Sequence, residues 1–251
     1  MRAALALALL VSGAAWAQMR SVYLEELTSP EVKAAIAAGT TSAIYYAGST
    51  EQNGPHLALG KHNVIARYVA GRIASELGNA LVYPVLPFAP TGEHLKYAGT
   101  VNVSDDTFAA VARDVAASAL AAGFKDVFLM GDHGGGQQAL ERVAGELDRQ
   151  AKRGGARVFY VGDAYYKAEE RMRGYLDSRG LPTGGHAGLE DTAMLMFLDP
   201  KLVRRDELAR AASAAGVDGD PRRATPDIGR ALLDIKIETA LGEIRRLASA
   251  R

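Results

Sequence analysis

Four apolar runs rich in β-branched and aromatic residues, at 42–47, 80–87, 126–130 and 157–161, alternate along this chain with segments of helical spacing at 64–77, 105–122 and 137–153. A strand returned to the same end of its sheet by a helix pairs in parallel, and the helices then cover both faces. The runs are continuous rather than alternating, as strands buried on both sides are. The order therefore predicts an α/β fold with a mostly parallel central sheet. Helix signals agree: Ser104 precedes Asp105 and Asp106 as an N-cap, Gly123 is placed to stop that helix, and Thr225-Pro226-Asp227 opens a long amphipathic segment at 228–248. The small, polar stretch 211–223 reads as an ordered loop or flap.

Residues 1–17 read as a secretory leader, with Arg2 ahead of the apolar run 3–11 and Ala15-Trp16-Ala17 as cleavage site. The expected mature chain, 18–251, is then one domain located in the periplasm or outside the cell. The run is shorter than the ~20 apolar residues of a membrane span, and no other transmembrane candidate exists, so no membrane association is expected after cleavage. The chain has no cysteine, which leaves nitrogen and oxygen as the metal donors. Lys and Arg number 29 against 29 Asp and Glu, without a basic block, and this excludes nucleic acid as a partner.

All five histidines fall in short motifs containing glycine or proline. Glu51, Asn53, His56 and His62 lie within Gly48-Ser49-Thr50-Glu51-Gln52-Asn53-Gly54-Pro55-His56 and just beyond it, a donor set suited to Zn²⁺ or Mn²⁺. The plainer alternatives are that Glu51 caps the turn with His56 packed beneath it, and that His62 is exposed at a helix start. In Gly131-Asp132-His133-Gly134-Gly135-Gly136 the glycines let backbone approach a ligand and free His133 to face it. A phosphate loop is disfavoured there, because Asp132 repels an anion and the Lys and Ser/Thr of a P-loop are missing. His186 precedes Glu190 and Asp191, of which one suits a metal and the other a proton, or one is an ordinary acid of a first helical turn. His94, in Thr91-Gly92-Glu93-His94, either lines a substrate pocket or satisfies its own loop. Three of these motifs start at the carboxyl end of a predicted strand, the edge where open α/β sheets bind ligands.

In these motifs the chain resembles the creatininase family, whose opening reads G-S-x-E-Q-H-G-P-H-L-P-L-x-T-D. The likeness runs from about Leu27 to Leu247, through Glu93-His94, Gly99-Thr100, Gly131 to Gly136, His186 to Ala193 and Gly219-Asp220-Pro221. The resemblance implies a three-layer α/β/α fold, a homo-oligomer such as a hexamer, and a two-metal centre that hydrolyses small-molecule amides. The family's ligands map onto Glu51, Asn53, His62, His133 and Asp191, and only Glu51 and His133 match in type. Asn53 replaces a histidine, and His62 replaces the bridging aspartate. A carboxylate bridges two cations, whereas a neutral imidazole offers one lone pair to one.

The expected enzyme is therefore an amidohydrolase with one Zn²⁺ or Mn²⁺ held by Glu51, His62, His133 and Asp191. His186 or Glu190 protonates the leaving nitrogen, while Asn53, His56, His94 and Asp132 contact substrate. The alternatives are a binding or scaffold protein that kept the fold without catalysis, and a peptidase or deformylase acting on another C–N bond.

Overall fold

In a computed structural model describing residues 20–250, four strands form one parallel sheet: β1 (Ser42–Ala47), β2 (Ala80–Val82), β3 (Asp126–Gly131) and β4 (Arg157–Tyr160). The leader expected over 1–17 lies outside the described residues. Among the described residues no helix is long and apolar enough to cross a membrane.

The strands lie in the order β2-β1-β3-β4, and all six residues of β1 and of β3 are buried. Alternate side chains go to opposite faces. Ile44, Tyr46, Phe128 and Met130 meet α2 (Lys61–Leu77), α5 (Tyr166–Asp177), α6 (Leu189–Leu198) and α8 (Pro226–Ser249). Ala43, Tyr45, Val127 and Leu129 meet α1 (Ser29–Ala37), α3 (Asp105–Ala122) and α4 (Gln137–Ala151). One further turn of helix, α7 (Leu208–Ala211), lies in the loop before α8. This is the three-layer α/β/α arrangement with a parallel sheet that the alternation of elements requires.

The local chemistry explains most boundaries. Ser104 accepts a hydrogen bond from the Thr107 amide at the start of α3, and Gly123 ends it at φ 107°. Thr225 caps α8, with Pro226 as its first residue. The run 80–87 gives only three strand residues, because Pro84 and Pro87 have no N–H to donate to a ladder; one isolated bridge, Ala47 to Leu86, follows. The helix read as 64–77 starts three residues earlier, at Lys61. α5 escapes periodicity because only Ala168, Met172 and Leu176 of it are buried, a narrow stripe of one residue per turn. The 211–223 stretch is ordered and is held by Gln52, whose Nε2 donates to the Gly216 carbonyl at 2.9 Å.

From β1 the chain winds to β2 on one side, then crosses to β3 on the other. The direction of winding reverses between β1 and β3, which opens a crevice beyond their carboxyl ends. Ala47 pairs with Gly131 at those ends, so the Glu51 loop and the His133 loop leave the sheet side by side.

Candidate metal centre

Glu51 stands at the middle of this crevice with no exposed surface. Its Oε1 lies 3.0 Å from His62 Nε2, and its Oε2 lies 2.9 Å from His133 Nε2. The two rings meet edge to face. The turn that presents Glu51 is stapled by Asn53, whose Nδ2 donates to the Glu51 carbonyl at 2.9 Å. His133 is aimed by the glycines after it: a Cβ on Gly135 would fall 1.9 Å from the Pro90 carbonyl oxygen, and Gly136 takes φ 90° to start α4.

The donors in this cluster fit a divalent cation. His62 Nδ1 is 2.8 Å from Asp132 Oδ2. An ionised Asp132 only accepts, so that nitrogen carries the proton, and in a neutral ring Nε2 turns its lone pair on Glu51 Oε1. Two acceptors at 3.0 Å require a proton or a cation between them. Glu51 Oε2 is buried with no hydrogen bond aligned on it, despite the proximity of His133. The donor atoms of Glu51, His62 and His133 all lie within 4.8 Å of one another. Tetrahedral ligands at ~2.0–2.2 Å from zinc stand about 3.3–3.6 Å apart, so the two Glu51–imidazole separations need open by only about half an ångström to admit an ion. The Asp132–His62 contact is the carboxylate–imidazole support that metal-bound histidines use to fix ring and tautomer.

A second group, Glu51 with His94 and His186, has its donor atoms equally close. Its rings are stacked, however, with centroids 4.5 Å apart and planes 19° from parallel. Imidazole lone pairs lie in the ring plane, so these two do not converge on one ion.

A cavity of about 510 Å³ opens over the cluster. His94, His186, Glu190, Asp191 and Asp132 all line it. Asp191 does not join the ligand cluster: Lys61 Nζ and the Ala187 amide both donate to its Oδ2, the latter at 2.8 Å from a residue held at φ 53°. Asn53 and His56 do not reach the cavity. Asn53 Nδ2 is engaged as the loop staple while its Oδ1 stays buried without a partner, and buried His56 bonds the Thr192 hydroxyl of α6 through Nε2 at 2.9 Å.

Protonation follows from the surroundings. Burial would raise the Glu51 carboxyl, but His133 and His62 outweigh it and hold Glu51 well below the usual carboxylate range. His186 is pushed down to about 4 by burial and by the Lys61 charge, so it is neutral at pH 7. Glu190 moves the other way. Burial pushes it up to about 7, against the Gly184 amide that donates to its Oε1 at 3.2 Å, and its Oε2 has no partner.

Two charged residues beneath the cavity escaped the sequence reading. Lys236 of α8, only 4% exposed in its side chain, lies 2.7 Å from Asp132 Oδ1. Lys61, 1% exposed, holds Asp191. Lys236 did leave a signal, since it interrupts the buried stripe Leu232, Leu233, Ile237 and Ala240.

Fold and site together define a three-layer α/β protein with a carboxylate–imidazole cluster, fit for a divalent cation, at the switch point of its sheet. The chain belongs to the creatininase family: the family model described as creatinine amidohydrolase matches residues 25–242. A mycofactocin precursor peptide peptidase of Mycobacterium ulcerans (strain Agy99) is 27% identical over 226 residues, covering 79% of this chain and 82% of that one. Among solved structures, a zinc–zinc form of a Glu-to-Gln creatininase mutant superposes with TM-score 0.75 at 22% identity, over 91% of this chain and 98% of that one. A manganese creatininase superposes with TM-score 0.74 at 22% identity, over 90% and 98%.

Proposed function

We propose that this chain hydrolyses an amide C–N bond with one divalent ion, Zn²⁺ or Mn²⁺, held by Glu51, His62 and His133. The observation that carries this reading is the fully buried Glu51 carboxylate set between two imidazole nitrogens at 3.0 and 2.9 Å, at the switch point of the sheet. The relatives named as peptidase and as creatininase support the same bond class. A bound ion supplies a water of pKa near ~7 and polarises the amide carbonyl.

The chain's own groups divide the remaining work. Asp132 holds the proton on His62 Nδ1 and so keeps Nε2 turned to the ion. Of the two groups expected to give a proton to the leaving nitrogen, Glu190 is the better placed. It is half protonated near pH 7, whereas His186 is already neutral there and has none to spare. The neutral His186 ring, its Nε2 2.9 Å from the Gln52 carbonyl, lines the wall with His94.

The test is the metal content of protein purified without chelator, followed by hydrolysis of short peptides and cyclic amides. One equivalent of Zn²⁺ or Mn²⁺ with turnover supports the reading; a well-folded protein that takes up no ion overturns it. That negative result would favour the second reading, a binding protein without catalysis. One contact supports it: the Gly135 amide donates to His133 Nδ1 at 2.9 Å, which places the proton of a neutral ring on Nε2, facing Glu51 rather than an ion.

Glu190 gives a further prediction. As a general acid it loses its proton as pH rises, so kcat is expected to fall tenfold per unit above about pH 7. Glu190→Gln is expected to remove that limb and lower kcat by ~10²–10⁴. Stability tests the same shift. A raised carboxyl favours the folded state while it is protonated, so its contribution is complete below about 4.5 and is lost as pH climbs through about 7. Denaturant midpoints of wild type should decline across that window relative to Glu190→Gln; parallel curves would count against the shift.

A further inference from the structure

The family opening places threonine where this chain has Lys61, beside the His62 that replaces the bridging aspartate. Three features make this lysine unusual. It is 1% exposed yet lines the cavity. It is also the first residue of α2, whose first turn carries no acid, and a cation there opposes the helix dipole. Finally, its ammonium donates to Asp191, the carboxylate onto which the family's metal ligand maps. A buried ammonium at a helix N-terminus is held only where a carboxylate is fixed against it, and the Ala187 amide fixes this one. Local rules broken together in this way mark a functional position.

We propose that the Lys61 ammonium occupies the place of the second cation of the two-metal centre, neutralising Asp191 and presenting a fixed positive charge to the cavity opposite the single ion. This inference rests on the one-metal reading of Glu51, His62 and His133. The departures then compensate one another. His62 and Asn53 remove the bridge and a ligand of the second ion, while Lys61 restores its charge.

Metal stoichiometry, measured by mass spectrometry after equilibrium dialysis against Mn²⁺ up to millimolar concentration, tests the inference. Wild type is expected to hold one equivalent. With the bridge and the missing ligand supplied by Asn53→His/His62→Asp, the chain is expected to stay at one equivalent while Lys61 is present and to approach two when Lys61→Thr is added, which frees Asp191. Asp191→Asn alone is expected to keep one equivalent with Kd changed less than threefold, a result that does not depend on the Lys61 variant folding. Two equivalents in wild type or in Asn53→His/His62→Asp, one in the triple variant with Lys61→Thr, or a tenfold weaker Kd in Asp191→Asn would each overturn the role of Lys61 while leaving the metal reading standing. No uptake by wild type overturns the metal reading itself, and this inference with it.

Discussion

Glu51→Gln is expected to empty the site. Mn²⁺ or Zn²⁺ content falls to background, and whatever amide hydrolysis the wild type shows drops by at least about 10³-fold, the loss of several kcal/mol of charge stabilisation. The substitution keeps shape and volume, so the loop stapled by Asn53 should hold. What changes is the atom set between His62 and His133. One carboxylate oxygen becomes an NH₂, which donates to the lone pair that the ion needs, and the only anionic donor of the cluster disappears. The carboxylates flanking the cluster are engaged elsewhere, Asp132 with Lys236 and His62, and Asp191 with Lys61, so neither is free to take its place. Isothermal titration with Mn²⁺ measures the result directly. Wild-type affinity in Glu51→Gln would show that the ion binds elsewhere in the cavity.

How much of this was visible in the sequence depends on what kind of physics fixed each residue. Continuous apolar runs fixed β1 and β3 to within one residue, since strands buried on both faces leave no other pattern. Caps fixed α3, because Ser104 and Gly123 act locally. Glu51, His62 and His133 were legible because donor residues among glycines have few purposes. Contacts made over long sequence distance were not legible. Asp191 and Lys61 are 130 residues apart, and nothing in either motif announces that the acid is already claimed. Asn53 and His56 read as site residues for the same reason in reverse. They share the motif with Glu51, yet Asn53 Nδ2 staples the turn that presents Glu51 and His56 Nε2 is bonded to Thr192 of α6, and neither side chain lines the cavity. Lys236 lies 104 residues from Asp132, and its only trace is a charge within the apolar stripe of α8.

The buried Lys236–Asp132 pair separates what holds the fold from what tunes the site. Asp132 is 2% and Lys236 4% exposed in their side chains. Burial would raise the Asp132 carboxyl, but the Lys236 charge and the bond from His62 keep it ionised. Asp132→Asn leaves the buried ammonium without the carboxylate it touches, a defect expected to destabilise by about 3–5 kcal/mol. For a chain of this length that lowers Tm by roughly 10 °C. Adding Lys236→Met removes the orphaned charge, and the double variant should regain most of that loss in a thermal melt. It should not regain the site. His62 would then face a neutral amide in place of a carboxylate, its Nε2 becomes a weaker donor, and metal affinity is expected to remain ~10–100-fold below wild type, as for lost supports of metal-bound histidines. If the double variant recovered both stability and affinity, Asp132 would be the structural partner of Lys236 and nothing more. If the single variant melted with wild type, the pair would not be the buried ion pair that its 2.7 Å contact describes. Recovery of stability without recovery of affinity is the result that assigns Asp132 to both tasks: one oxygen turned to α8, and the other to the ring that meets Glu51.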